Sequence, residues 1–117
     1  MMKNRKKIIH GKLLTPYQEI EDGVVCVENG KICEVGINDV NFPDAIVIDA
    51  GGNYVSPGFI DLHTHGAGGS DFMDGTVEAY LQSAETHARH GTTSLYPTTL
   101  TSTEEEMFRA FDVYKQA

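Results

Sequence analysis

The residues best suited to chemistry lie in the stretch GFIDLHTHGAGGSDF, residues 58–72, where Asp61, His63 and His65 occupy every second position. In a β-strand, positions i and i+2 project to the same side. Two neighbouring imidazoles on that side can direct their ring nitrogens at one metal ion. We therefore predict that His63 and His65 are metal ligands at the end of a strand.

The acidic residues around this pair have less specific interpretations. Asp61 shares the side of the histidines, where it can orient a ligand or accept hydrogen bonds from the backbone. We assign Asp71 and Asp74, in GGSDFMDGT, to turn and helix-start roles. Because an H-x-H pair also occurs by chance, two hydrogen-bonded histidines under a loop remain the alternative to a metal site.

Strand and helix patterns alternate around the pair. Residues 54–63 (YVSPGFIDLH) and 92–99 (TTSLYPTT) are typical of strands, and residues 77–90 have apolar side chains at helical spacing. We predict Thr76 as the N-cap of this helix and Gly91 as its left-handed C-terminal residue. The order strand, helix, strand, helix indicates a parallel α/β architecture.

The second helix begins with a predicted capping box, Ser102 to Glu105. We expect its core face to carry four apolar side chains, those of Met107, Phe108, Phe111 and Tyr114.

Parallel strands end at one edge of their sheet, and that edge carries the site in α/β folds. We expect His63, His65, the glycine-rich loop 66–69 and residues 97–99 to meet there, with the glycines allowing a ligand to approach the backbone. His87 and His90 end the returning helix, so we place them at the opposite end, as partly exposed residues without a role in the site.

Residues 1–53 contain short β-branched runs and predict a small all-β unit. Asn29-Gly30 is a strong hairpin signal, and a two-residue loop would pair Glu28 with Lys31 and Cys26 with Cys33. We expect both cysteines to be reduced. We interpret His10 as structural, because no acidic or thiol neighbour is evident in the sequence.

The net charge of −8 argues against a nucleic-acid partner. The basic cluster at residues 3–7 is not followed by an export segment, and no run approaches the roughly 20 apolar residues of a membrane span. We therefore expect a cytoplasmic protein that does not bind a membrane.

The segment PGFIDLHTHG resembles the first barrel strand of the amidohydrolase superfamily. The longer stretches PGFIDLHTHGAGGSDFMDGT (57–76) and HGTTSLYPTTLTS (90–102) are similar to the N-acetylglucosamine-6-phosphate deacetylase family. The β unit before them, with VENGKICEVG, is similar to that family's small β-sandwich. The resemblance implies an α/β fold in which residues 1–53 form part of a β-sandwich and residues 54–117 begin a (β/α)8 barrel.

The resemblance also implies a hydrolase that converts N-acetylglucosamine 6-phosphate into glucosamine 6-phosphate and acetate. Its cofactor would be one or two divalent ions, zinc or iron, held in part by His63 and His65. The enzyme would be a homodimer. A closed barrel needs about 200 residues or more, so we expect only its first two βα units here. The family's remaining ligands, a glutamate and two histidines, and its proton-shuttling aspartate are expected beyond residue 117, and we predict that the isolated chain is inactive.

Two alternatives remain. Another amidohydrolase, of the dihydroorotase, hydantoinase or D-aminoacylase type, shares the D-x-H-x-H pattern. Dihydroorotase-like sequences place an arginine soon after the second histidine, whereas Gly66-Ala67-Gly68-Gly69 follows here. The second alternative is a non-catalytic, β-rich, metal-binding module.

Overall fold

The computed structural model describes residues 4–37 and 40–117. Lys3 of the N-terminal basic cluster lies outside these residues. The chain divides into two compact units, Met1–Pro57 and Gly58–Ala117. None of the helices within the described ranges is long and apolar enough to cross a membrane.

The first unit is a mixed β-sheet. Its strands are β1 (Arg5–Leu14), β2 (Glu19–Glu28), β3 (Lys31–Ile37), β4 (Ile46–Asp49) and β5 (Tyr54–Val55). The order across the sheet is β3-β2-β1-β4, with β5 also paired to β1. The β1–β2 and β2–β3 pairs are antiparallel, whereas β4 and β5 run parallel to β1.

The hairpin between β2 and β3 confirms the turn prediction and corrects its register. Asn29 and Gly30 both have positive φ, 53° and 79°, as a type I′ turn requires. Glu28 pairs with Lys31 as predicted, but a bulge follows, so Cys26 lies opposite Glu34. Cys33 is therefore the extra residue of the bulge, and the predicted Cys26–Cys33 pairing is wrong.

The core of this unit is small. Leu13, Val24, Val25 and Cys26 are buried, whereas most of β3 and β4 is exposed. An apolar groove of about 500 Å³ lies against the sheet, lined by residues that include Leu13, Val25, Val35 and Val55. The described residues of the unit thus form a sheet with an apolar surface that they leave open.

One prediction about His10 is also wrong. Its Nδ1 lies 3.2 Å from Asp49 Oδ1, so it has an acidic neighbour that the sequence did not reveal. Both side chains are exposed, and such pairs contribute little to stability.

The second unit contains two βα units in succession. Its main elements are β6 (Phe59–Thr64), α1 (Val77–Arg89), β9 (Thr92–Pro97) and α2 (Glu104–Gln116), with a small hairpin of β7 (Gly66–Ala67) and β8 (Ser70–Asp71) after β6. Strands β6 and β9 are parallel, as the alternation of patterns predicts. The single strand predicted over 54–63 is instead divided at Ser56–Pro57, and its first part joins the sheet of the first unit.

The ends of the two helices show how far local sequence signals determine where a helix begins and ends. The Thr76 side chain caps α1 by accepting from the Ala79 N–H, and Gly91 has a φ of 93° just past the helix, both as predicted. The capping box of α2 lies one residue later than expected, between Thr103 and Glu106. The buried face of α2 is also different, because Ala110 and Val113 are buried.

Apolar side chains of this unit remain exposed. On β6, Phe59, Ile60 and Leu62 are 61%, 65% and 71% exposed, with Phe59 on one face of the strand and Ile60 and Leu62 on the other. On α2, Phe108, Phe111 and Tyr114 are also exposed, contrary to the predicted core face. Because parallel strands are normally covered on both faces, this exposure leaves part of the apolar surface of the two βα units uncovered by the described residues.

Candidate metal centre

The predicted ligands lie where two strands end together. Thr64, the residue between the two histidines, is paired with Pro97 at the end of β9. The Thr98 N–H then donates to the Thr64 carbonyl oxygen at 2.8 Å. The end of β6 and the residues after β9 therefore meet at one edge, as the parallel architecture predicts.

The rings of His63 and His65 lie together at this edge. Their centroids are 5.1 Å apart, and the ring planes are inclined by 76°. His63 is exposed and His65 is half-buried, whereas Thr64 between them is buried. The geometry brings two nitrogen donors close to each other and leaves one of them accessible.

One atom of this pair lacks a partner. Nδ1 of His65 is buried and has no hydrogen-bond partner within residues 4–37 and 40–117. A buried polar atom without a partner costs roughly 1–3 kcal/mol, so such atoms in native proteins call for an explanation. A metal ion at Nδ1, or an acceptor brought in with further ligands, would satisfy this nitrogen. The residues present therefore fit a metal site.

Asp61 has the simpler of the two roles considered for it. Its Oδ1 accepts a hydrogen bond from the backbone N–H of His63 at 3.0 Å. The carboxylate thus fixes the backbone of the first predicted ligand.

The two histidines are only part of a donor set. No group of three or more histidine, cysteine, aspartate or glutamate side chains suited to a metal ion occurs within the described residues. Catalytic zinc sites usually have three protein ligands and an open position. The arrangement can thus supply two nitrogens to a metal ion and no more.

The glycines after His65 serve the hairpin. Gly68 and Gly69 have positive φ, 65° and 84°, and form the turn between β7 and β8. At Gly66 a Cβ atom would lie 2.2 Å from the carbonyl oxygen of Ser70. At Gly66, therefore, the close backbone approach is one of the chain to itself, and the approach of a ligand to this loop remains a prediction.

Asp71 and Asp74 have the turn roles assigned to them. Asp71 Oδ1 accepts from the Met73 N–H at 2.7 Å, and Asp74 Oδ2 accepts from the Asp71 N–H at 2.9 Å. These bonds fix the connection that leads to α1.

His87 is the residue near the candidate site that the sequence interpretation misplaced. Its Nε2 lies 3.0 Å from Thr64 Oγ1, in a partly buried hydrogen bond. The prediction that it lies far from the site is wrong, because side chains of a helix lean toward its N-terminus, and His87 thereby reaches the residue between the two predicted ligands. The available signal in the sequence was Ser83, a polar residue one helical turn earlier on the same face, which the structure shows to be fully buried. His90, in contrast, is exposed and bonds to Thr86 of its own helix, as predicted.

Comparison with known proteins identifies the family. The amidohydrolase family model matches residues 54–116. N-acetylglucosamine-6-phosphate deacetylase of Haemophilus influenzae is 34% identical over 111 residues, which are 93% of this chain and 29% of that protein. A dihydroorotase of Trichlorobacter lovleyi is 45% identical over 56 residues, 47% of this chain and 13% of that protein.

A solved structure gives the same result. The crystal structure of N-acetylglucosamine-6-phosphate deacetylase from Pasteurella multocida superposes with a TM-score of 0.86 at 29% identity, over 96% of this chain and 30% of that one. The chain thus spans less than a third of the length of these deacetylases, and the predicted resemblance and fold class are confirmed. It belongs to the amidohydrolase family.

Proposed function

We propose that this chain supplies the first metal-binding strand of a deacetylase that converts N-acetylglucosamine 6-phosphate into glucosamine 6-phosphate and acetate. The observation that carries the proposal is the His63–His65 pair, with rings 5.1 Å apart at the strand end and one buried nitrogen unpartnered. The deacetylase similarity over 93% of the chain supports this substrate, because the dihydroorotase similarity extends over 47%.

In this proposal the residues of the chain hold and orient the cofactor. When bound, a divalent zinc or iron ion polarises the acetyl carbonyl and lowers the pKa of a water molecule. His63 and His65 donate ring nitrogens to one or two such ions, and Asp61 keeps the His63 backbone in place. The remaining ligands and the aspartate that moves the proton are supplied from outside these 117 residues.

A second candidate is a hydrolase of the dihydroorotase type, favoured by the 45% identity over 56 residues. It shares the histidine pair but needs a cationic side chain to hold a substrate carboxylate. Residues 66–69 carry glycine and alanine instead, which favours the deacetylase.

The test uses the protein purified from its source. The mass of this protein is measured to determine the length of its chain. We expect acetate release from N-acetylglucosamine 6-phosphate, its loss on treatment with a chelator, and its return with Zn²⁺ or Fe²⁺. The matched control substrate is dihydroorotate, which should remain unchanged. Hydrolysis of dihydroorotate without acetate release would favour the second candidate and contradict the proposal.

The 117-residue chain alone provides a separate test. Because two imidazoles are fewer ligands than a catalytic metal site needs, we expect no turnover of N-acetylglucosamine 6-phosphate above a blank of the same metal. Turnover well above that blank would show that the described residues suffice.

The homodimer and the cytoplasmic location implied by the resemblance remain predictions. Light scattering during size-exclusion chromatography of the protein from its source measures the first, and cell fractionation measures the second. A monomeric mass, or recovery with a membrane fraction, would contradict them.

A further inference from the structure

His87 of helix α1 forms a hydrogen bond with the strand that carries the histidine pair. His87 Nε2 lies 3.0 Å from the hydroxyl of Thr64, which is buried. Because side chains alternate along a strand, Thr64 projects away from the side that carries His63 and His65. The hydrogen bond from His87 therefore reaches β6 on the side opposite the pair.

The segment after His65 is bound to the same helix. Ser83 is fully buried, and its hydroxyl donates to the Ser70 carbonyl oxygen at 3.0 Å. Gln82 Nε2 donates to the Gly68 carbonyl oxygen at 2.7 Å. Gln82, Ser83 and His87 lie within six consecutive residues of α1. Together they form hydrogen bonds with Thr64, before His65, and with the hairpin after it.

We infer that His87 is a positioning residue for the metal-binding pair, acting through its hydrogen bond to Thr64. The inference rests on the proposed function, since it assumes that His63 and His65 bind metal. Thr64 links the backbones of His63 and His65, and its carbonyl oxygen already accepts a hydrogen bond from the Thr98 N–H. Fixing the Thr64 side chain restricts rotation of that backbone further.

The physical basis of the inference is that a metal site tolerates only small displacements of its donor atoms. Donor atoms must be held within about 0.5 Å of their productive positions. Without His87, the buried hydroxyl of Thr64 loses its imidazole partner, and relaxation to find another would move the two imidazoles. Loss of residues that orient metal ligands typically weakens metal affinity about 10- to 100-fold.

The experiment measures Zn²⁺ affinity of the 117-residue chain by calorimetry, with the visible spectrum of bound Co²⁺ as a report on ligand geometry. We expect His87→Ala to weaken Zn²⁺ binding about tenfold and to change the Co²⁺ spectrum. His87→Gln places a side-chain amide near the position of Nε2, so it should restore most of the Zn²⁺ affinity and most of the Co²⁺ spectrum. Circular dichroism confirms that each variant is folded.

Thr64→Val tests the path of the effect. It removes the hydroxyl while keeping a β-branched side chain, and we expect it to weaken binding as much as His87→Ala. The double variant should be no weaker than either single one, because both remove the same hydrogen bond. Additive losses would show that His87 acts independently of Thr64 and would overturn the inference.

Control variants separate this inference from the proposed function. His90→Ala removes an exposed histidine of the same helix end and should leave the affinity unchanged, and an equal loss there would overturn a specific role for His87. His63→Ala and His65→Ala should abolish specific binding. If they do not, the metal site itself is wrong; if they do while His87→Ala matches the wild type, only the inference fails.

Discussion

Cys33 lies in a β-bulge beside Cys26, and its Sγ donates a hydrogen bond to the Cys26 carbonyl oxygen at 3.3 Å. Neither cysteine forms a disulfide within the described residues, and Cys26 is buried whereas Cys33 is exposed. The bulge therefore gives two neighbouring cysteines different access to solvent.

We accordingly predict that iodoacetamide modifies Cys33 but not Cys26 in the folded chain. Burial protects the second thiol, because alkylation requires contact with the reagent as well as a thiolate. Mass spectrometry should show one added group under native conditions and two in urea. Cys33→Ser should then add none under native conditions, and labelling of Cys26 in that variant would contradict the burial.

Gly30 provides a test of the hairpin. Its φ of 79° is unfavourable for a residue with a Cβ atom, so Gly30→Ala should lower the free energy of unfolding by about 1 kcal/mol. The matched control is Gly36→Ala, because Gly36 lies in β3 with open space at its Cβ position and without a positive φ. Urea unfolding of both variants is the measurement, and an equal loss in both would rule out a special role for the turn.

Phe72 provides a test of the connection that follows the histidine pair. Phe72 is 3% exposed and packs against Tyr80 with ring centroids 4.8 Å apart and ring planes inclined by 57°, and its N–H donates to the His65 carbonyl oxygen. We expect Phe72→Ala to cost about 3 kcal/mol of unfolding free energy, as buried phenylalanines do.

Phe108→Ala is the matched control for that truncation, because Phe108 is exposed on α2. It should change the unfolding free energy by no more than about 0.5 kcal/mol. Similar losses for the two variants, measured in the same urea titration, would contradict the placement of Phe72 in the core.

Glu106 provides a test by pH. Hydrogen bonds from the Ser102 hydroxyl and from Thr103 stabilise its carboxylate and lower the pKa of Glu106 below its ordinary value of 4.5. A lowered pKa in the folded state stabilises the fold at pH values above the ordinary one. This contribution is lost as the pH falls through the lowered value.

A carbon-detected NMR titration should therefore find Glu106 titrating below its ordinary pKa. Ser102→Ala should move that pKa upward, whereas Ser94→Ala on β9 should not. A Glu106 pKa that stays the same in Ser102→Ala would mean that the hydroxyl does not hold the carboxylate.

Local signals in the sequence predicted the elements well, and long-range geometry accounts for the errors. Asn29-Gly30, Thr76 and Gly91 have the predicted conformations, because each depends on neighbouring backbone atoms alone. The bulge at Cys33 depends on how two strands match over several residues, which no local signal encodes. The exposed aromatic side chains of α2 show that an apolar stripe does not specify its partner.

The same distinction between local signals and long-range geometry applies to the candidate site. Alternation along a strand suffices to place His63 and His65 side by side, and the parallel order suffices to place them at an edge. The role of His87 was not predictable in this way, because it depends on the packing of α1 against β7, β8 and β9, and its signal is a polar face. A helical interpretation based on apolar periodicity discards that face.

The parallel pairing of β6 with β9 has a consequence for the order of folding. Asp61 pairs with Leu95, so the contact closes a loop that contains the whole of α1. Such non-local pairing forms slowly, because the entropy of closing the loop is lost before the contact is gained. The histidine pair should therefore reach its final geometry late, and Zn²⁺ should slow unfolding more than it speeds folding.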